Sequence, residues 1–75
     1  MTPQELLVAL GERLDTDPPS DDERRTLLAM AGVAAHASER WAAPLACWMA
    51  GRAGVAPDRA AALVREITEG ETQDR

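Results

Sequence analysis

The 75-residue chain has no phenylalanine, tyrosine, lysine or asparagine, and it has only one cysteine and one histidine. A single cysteine excludes a disulfide within the chain, and one cysteine with one histidine matches none of the usual zinc-ligand spacings. A chain of this length forms one domain with a small core, because short chains bury a smaller share of their surface. We therefore expect either very close helix packing or a partner that covers part of the apolar surface.

Basic charge is also scarce, with 8 arginines against 13 acidic residues and a net charge of -5. Binding to nucleic acids or to anionic membranes requires clustered cations, so neither is expected. The longest uncharged run, residues 26–38, is shorter than the roughly 20 apolar residues of a membrane-spanning helix. The N-terminus has no basic region followed by an apolar run, which predicts no signal peptide. We expect a soluble cytoplasmic protein with a reduced thiol.

The chain does contain a series of helix signals. Thr2 and Glu5 form a predicted capping box. Leucines at helical spacing follow it: Leu6, Leu7, Leu10 and Leu14. A second predicted capping box, Ser20 with Glu23, opens a helix expected over about residues 21–40. This second helix is apolar or small on almost every face, which predicts that it is the central helix of the domain.

Pro44 cannot lie inside a regular helix, because it lacks the backbone N–H and its ring clashes with the preceding turn. We predict a break at residues 41–43, with Pro44 in the first turn of a third helix. That helix should end near Gly51 or Gly54, since glycine suits the C-cap. A fourth helix is expected to begin at residue 57 and to end at Gly70.

No stretch alternates apolar and polar residues as a half-buried strand would. The sequence therefore predicts an all-α fold, a compact four-helix bundle-like single domain over residues 1–70, with residues 71–75 as a frayed C-terminal tail. It contains no recognisable catalytic triad, phosphate-binding glycine loop or metal-ligand cluster. We accordingly expect no enzymatic activity and no bound metal, while a role as an auxiliary subunit of an enzyme stays open.

The candidate site is the corner between the second and third helices. His36, Glu39 and Arg40 are three and four residues apart and should share one helix face. In a structural interpretation, Arg40 caps the helix, Glu39 is solvated or paired, and His36 bonds a backbone carbonyl at the edge of the core. In a functional interpretation, His36 and Arg40 bind a phosphate or carboxylate.

Two tryptophans flank this corner. Trp41 and Trp48 are either the large core residues of a chain without other aromatics or flat apolar walls for a ligand or partner. The core interpretation is stronger for Trp48, in the middle of a predicted helix, than for Trp41, at the edge of a loop. Cys47 lies in the same apolar stretch, where a thiol is typically buried and inert.

A resemblance to a known family is carried by residues 27–51, which read LLAMAGVAAHASERWAAPLACWMAG. The segment resembles a small uncharacterised actinobacterial family of helical domains, with a Leu-rich start, an Ala/Val-His-x-x-Glu-Arg turn, Ala-Ala-Pro-Leu and a helix that ends in Ala-Gly. The matching polar and turn residues are His36, Glu39, Arg40 and Pro44. The chain departs from the family at Trp41 and Trp48, where small or phenyl-type side chains are common, and this departure points to a specialised partner.

The family it resembles occurs beside, or fused to, proteins of molybdenum-cofactor biosynthesis, notably the molybdopterin guanylyltransferase. The resemblance implies a non-catalytic accessory module that docks on a partner enzyme in biosynthesis or delivery of that cofactor. A molybdopterin-type cofactor would then be reached only through the partner. Two alternatives stay open: a small auxiliary subunit or carrier that binds an anionic ligand at the His36/Arg40 corner, and a regulatory helical homodimer.

Overall fold

The computed structural model describes the backbone of residues 1–73 and the side chains of residues 1–70. Its elements are four helices: α1 (Pro3–Leu14), α2 (Asp21–Ala37), α3 (Ala42–Ala53) and α4 (Pro57–Gln73). No strand occurs in this part of the chain, so the predicted all-α class with four helices is confirmed. No helix within residues 1–73 is both long and apolar enough to cross a membrane.

Both predicted capping boxes are present. The Thr2 backbone N–H donates to Glu5 Oε1 at 2.7 Å, and the Glu5 N–H donates to Thr2 Oγ1 at 3.1 Å. Ser20 and Glu23 make the same pair of bonds at 2.8 and 3.1 Å. These bonds hold the pKa of both glutamates below the ordinary value, chiefly through the donated backbone N–H of the cap residue and secondly through its hydroxyl.

The end of α1 is a tight turn against its own connection. Asp15 takes the left-handed conformation, with φ 57°, and its N–H bonds the Gly11 carbonyl. The Thr16 N–H donates to the same carbonyl at 2.9 Å. This close approach requires glycine at position 11, since a Cβ there would lie 2.5 Å from the Thr16 carbonyl oxygen.

The predicted end of α2 is wrong by three residues. The helix ends at Ala37 rather than near Arg40, because Ser38 leaves helical geometry with φ -136° and ψ -109°. The Ser38 N–H still closes the last helical bond, to the Ala34 carbonyl at 3.1 Å. Residues 39–41 therefore belong to the connection between α2 and α3.

Helix α2 ends early because the carbonyls of the connection accept hydrogen bonds from the first backbone N–H groups of α3. The Ala42 N–H donates to the Glu39 carbonyl at 2.9 Å, and the Ala43 N–H donates to the Arg40 carbonyl at 3.2 Å. The next residue, Pro44, has no N–H to satisfy, so α3 begins without a side-chain cap. The predicted placement of Pro44 in the first turn of α3 is confirmed.

The later helix boundaries were predicted in part. Gly54 ends α3 with φ 72°, and Pro57 begins α4, as expected. The predicted end of α4 at Gly70 is wrong, since the helix continues to Gln73. Gly70 does not have the positive φ that ends α3, and no proline follows it. Of the predicted frayed tail, residues 71–73 are helical and residues 74–75 lie outside the described residues.

The core is small and lies where α2 packs along α4 and α3. Its buried residues are Met30, Ala34, Ala60 and Ala61, of which only Met30 is large. Half-buried residues from three helices and a loop pack around it: Leu27, Cys47, Ala50, Val55 and Val64. The prediction that α2 is the central helix is confirmed, because it alone packs extensively on two others in the described part of the chain.

Helix α1 has no comparable packing on the other three helices. Its apolar stripe is largely solvent-facing, with Leu6, Leu10 and Leu14 exposed and only Leu7 half-buried. The molecule is accordingly elongated, 45 × 24 × 19 Å, with a radius of gyration of 13.6 Å. A compact chain of this length has a radius of gyration of about 11 Å.

Candidate functional site

The polar corner is not assembled as the sequence predicts. His36 lies in the last turn of α2, whereas Glu39 and Arg40 lie beyond its end, so the predicted shared helix face is wrong. His36 is exposed rather than at the edge of the core, and its ring donates no hydrogen bond to a backbone carbonyl within the described residues. The structural interpretation of His36 is therefore wrong as well.

Glu39 instead lies in the turn, where its carbonyl and its carboxylate each accept one hydrogen bond. Its carbonyl accepts the Ala42 N–H, and its carboxylate accepts a hydrogen bond from the Trp41 indole Nε1–H. The bond to Trp41 stands at the start of α3 and links the connection to the indole. We conclude that Glu39 contacts Trp41 through one oxygen of its carboxylate.

An open cleft of about 660 Å³ lies between the C-terminal parts of α2 and α4. It is lined by Ala29, Gly32, Val33, His36, Ala37, Thr68 and Glu69. His36 therefore faces a space that another molecule can enter, but Arg40 is not in the lining. The Glu69 carboxylate at this cleft opposes an anionic ligand, which weakens the support for phosphate or carboxylate binding there.

Within residues 1–70, no group of three or more histidine, cysteine or acidic side chains is arranged to hold a metal ion. Cys47 is a free, half-buried thiol that packs against the core. The sequence predicts a thiol in apolar surroundings, where cysteines are typically inert, and Cys47 does pack among apolar residues.

Helix α3 has its small residues inside and its large residues outside. The side toward the core carries Ala46, Cys47 and Ala50, all half-buried. The opposite side, which we call the α3 outer face, consists of Trp41, Leu45 and Trp48, and these side chains are 64%, 51% and 64% exposed. Of the two interpretations of the tryptophans, placement in the core is therefore wrong.

The outer face also carries a cation. The Arg52 guanidinium lies over the Trp48 ring, 5.5 Å from its centroid, one helical turn further along α3. Tryptophan and arginine are the residue types most enriched where proteins bind one another, and lysine, which this chain lacks, is depleted there. The chemistry of this face is suited to an apolar protein surface rather than to a small ion.

A second apolar feature lies beside it, between α3 and α4. This groove, the α3–α4 groove, has a volume of about 300 Å³ and Met30 at its floor. Its lining is entirely apolar: Met30, Ala46, Met49, Ala50, Ala53, Val55, Ala60, Leu63, Val64 and Ile67. Met49 and Ile67 are 64% and 69% exposed, so the groove is open to an apolar occupant.

Reasoning from the sequence missed Leu45, Met49 and Arg52 as surface residues. A signal was present, because alanines and the cysteine repeat at helical spacing along one side of α3 while the large residues repeat along the other. A helix with two apolar sides of different size gives no rule for which side is buried.

The match to known families covers nearly the whole chain. A family model described as DUF6457, a domain of unknown function, matches residues 2–74 and so includes all four helices. No curated protein and no solved structure matches the chain.

Proposed function

The chain belongs to the DUF6457 family, a domain of unknown function, and we propose that it is a non-catalytic accessory module that docks on a partner enzyme through the α3 outer face. The observation that carries the proposal is the inverted amphipathicity of α3. Trp41, Leu45 and Trp48 are exposed, while the smaller side of the helix packs on the core.

Exposed apolar residues are ordinary when they are scattered, but these three lie on one side of one helix. Trp41 is held by its bond to Glu39, and the Trp48 ring lies under the Arg52 guanidinium. Both indoles are thus restrained before any partner arrives, which reduces the entropy lost on binding. Ordered tryptophans of this kind commonly provide most of the affinity of an interface.

The partner is proposed from the resemblance and from charge. The family that residues 27–51 resemble occurs beside the molybdopterin guanylyltransferase, which makes that enzyme the first partner to test. The net charge of -5 favours association with a partner of opposite net charge, while the α3 outer face, with Arg52 over Trp48, suits an apolar patch on that partner. The cofactor itself would remain with the partner enzyme.

The test is a calorimetric titration of the chain into purified molybdopterin guanylyltransferase from the same host. We expect saturable binding that Trp48→Ala weakens by about 30-fold or more, the effect of losing a hot-spot residue. Leu28→Ala is the matched control, because Leu28 is 65% exposed but lies on α2. It should bind as the unmodified chain does.

Two results would contradict the proposal. The absence of binding by the unmodified, folded chain would remove this enzyme as the partner. Binding that Trp48→Ala and Leu28→Ala weaken equally would remove the α3 outer face as the docking surface.

A further inference from the structure

The chain exposes more surface than a compact monomer of its mass. Its accessible area is 6089 Å² for 8.1 kDa. A compact monomer of that mass exposes about 4,500 Å², so the excess is about 1,600 Å² per copy. If two copies covered this excess on each other, they would bury about 3,000 Å², within the range of about 2,000–5,000 Å² for obligate dimers.

Much of the unpartnered surface is α1, and its connection explains why α1 stands apart. Pro18 and Pro19 fix their own φ angles and restrict the residue before each of them to extended conformations. Ser20 is extended too, with φ -65° and ψ 169°. At the other end, Gly11 packs closely against the Thr16 carbonyl. The connection therefore holds α1 as an arm rather than letting it fold back.

The arm matches the α3–α4 groove in chemistry, since both are apolar. Helices α1 and α3 have 12 residues each, which is about 18 Å of helix. Leu6, Leu10 and Leu14 recur every fourth residue, so they line one side of α1. The groove has an apolar lining contributed by both α3 and α4, and it is open at Met49 and Ile67, where leucine side chains of an α1 helix can enter.

We propose that two copies of this chain form a symmetric dimer in which α1 of each copy lies in the α3–α4 groove of the other. Because each copy gives its arm and receives the other's, a two-fold axis relates the copies, and both arms and both grooves are occupied. The exchange covers each exposed α1 stripe and each groove at once. The α3 outer face borders the groove, because Leu45 and Met49 are one turn apart, but Trp41 and Trp48 are not among the groove residues. The dimer contact and the tryptophans can therefore be tested by separate substitutions.

Light scattering coupled to size-exclusion chromatography tests the oligomeric state. The unmodified chain is expected at twice its 8.1 kDa mass, with a melting temperature that rises with protein concentration. Leu10→Glu in the arm and Ile67→Glu in the groove should each give the monomer mass, since each places a charge in the apolar contact. Leu28→Glu, at an equally exposed apolar position on α2, should remain a dimer.

Mixing the two disruptive variants tests the exchange itself. In a mixed dimer, the intact arm of the Ile67→Glu copy lies in the intact groove of the Leu10→Glu copy, while the other exchange carries both substitutions. Each variant alone has no intact exchange, so the mixture should form more dimer than either variant does. This readout serves even where a variant folds poorly alone, because the mixture should then recover helicity. Leu10→Ala, which retains helix propensity, should raise the dimer dissociation constant by about tenfold or more.

Three outcomes would overturn the proposal. One is a monomer mass for the unmodified chain at every concentration. Another is an Ile67→Glu chain that stays dimeric while Leu10→Glu does not, which would indicate that two α1 helices pair with each other. The third is a mixture of the two variants that forms no more dimer than either variant does alone at the same total concentration.

Discussion

The guanidinium of Arg52 lies over the indole ring of Trp48, 5.5 Å from the ring centroid. Both residues point away from the core, so the contact contributes little to folding. An exposed cation–π pair is worth about 0.5–1 kcal/mol. Its effect is to restrict the ring on a face that has no partner within the described residues. Stability and surface chemistry are therefore separable on α3, and substitutions can distinguish them.

We predict that Trp48→Ala changes the free energy of unfolding by about 1 kcal/mol or less, because the ring is 64% exposed. Met30→Ala should lower it by about 2–5 kcal/mol, since Met30 is 1% exposed and is the only large buried side chain within residues 1–70. Urea unfolding followed by far-ultraviolet circular dichroism measures both without relying on tryptophan. Comparable losses for the two variants would mean that Trp48 belongs to the core after all.

The parts of the fold that the sequence predicts are those set by neighbouring residues. The capping boxes at Thr2 and Ser20 need only a glutamate three residues later, and the end of α3 needs only glycine at position 54. Each of these is a local choice of backbone conformation. The end of α2 was harder to predict, because it depends on carbonyls beyond Ser38 that bond the first N–H groups of α3.

The candidate site was predicted less well, for a different reason. Periodicity shows that α1 and α3 have apolar sides. It does not show whether the other helices provide enough apolar surface to bury those sides. The small core uses the alanine side of α3, which leaves Trp41 and Trp48 outside. The tight turn between Ser38 and Ala42 then separates His36 from Arg40. Neither result is visible in spacing alone.

We predict opposite effects for two glycine substitutions. Gly11→Ala should open the turn after α1, because its Cβ would lie 2.5 Å from the Thr16 carbonyl oxygen. Gly32→Ala should stabilise α2 by about 0.5–1 kcal/mol, since nothing lies within 4 Å of that Cβ and alanine is the better helix former.

Amide hydrogen exchange measures the first substitution where it acts. The N–H groups of Asp15 and Thr16 both bond the Gly11 carbonyl, so both should exchange faster in Gly11→Ala. Amides of α2 should be little affected, because α1 does not pack extensively on that helix. Unchanged exchange at Asp15 and Thr16 would show that the turn accommodates the extra methyl group.

The capping boxes predict a loss of stability in acid. Hydrogen bonds from backbone N–H groups lower the pKa values of Glu5 and Glu23 in the folded chain. In the unfolded chain these two carboxylates therefore bind protons more readily. Their contribution is therefore fully present above the ordinary glutamate pKa of 4.5 and is lost as the pH falls through the lower folded value. Urea unfolding at a series of pH values between about 6 and 3 measures it.

Glu23→Gln is the matched variant, because glutamine completes a capping box but does not titrate. It should flatten the acid limb of the stability curve, whereas Ser20→Ala should lower stability by about 1 kcal/mol at neutral pH by removing the cap itself. An acid limb identical in Glu23→Gln and the unmodified chain would place the titration on other carboxylates.

The His36/Arg40 corner gives the last prediction, which concerns the anionic-ligand alternative. Both side chains are exposed and make no ion pair with the described residues, so His36→Ala and Arg40→Ala should leave the melting temperature unchanged. We expect inorganic phosphate to give no saturable rise in that temperature, because Glu69 lines the cleft at His36 and Arg40 does not. Glu69→Gln is the control for the repulsive carboxylate. A rise that both alanine variants abolish would support anion binding at the corner instead.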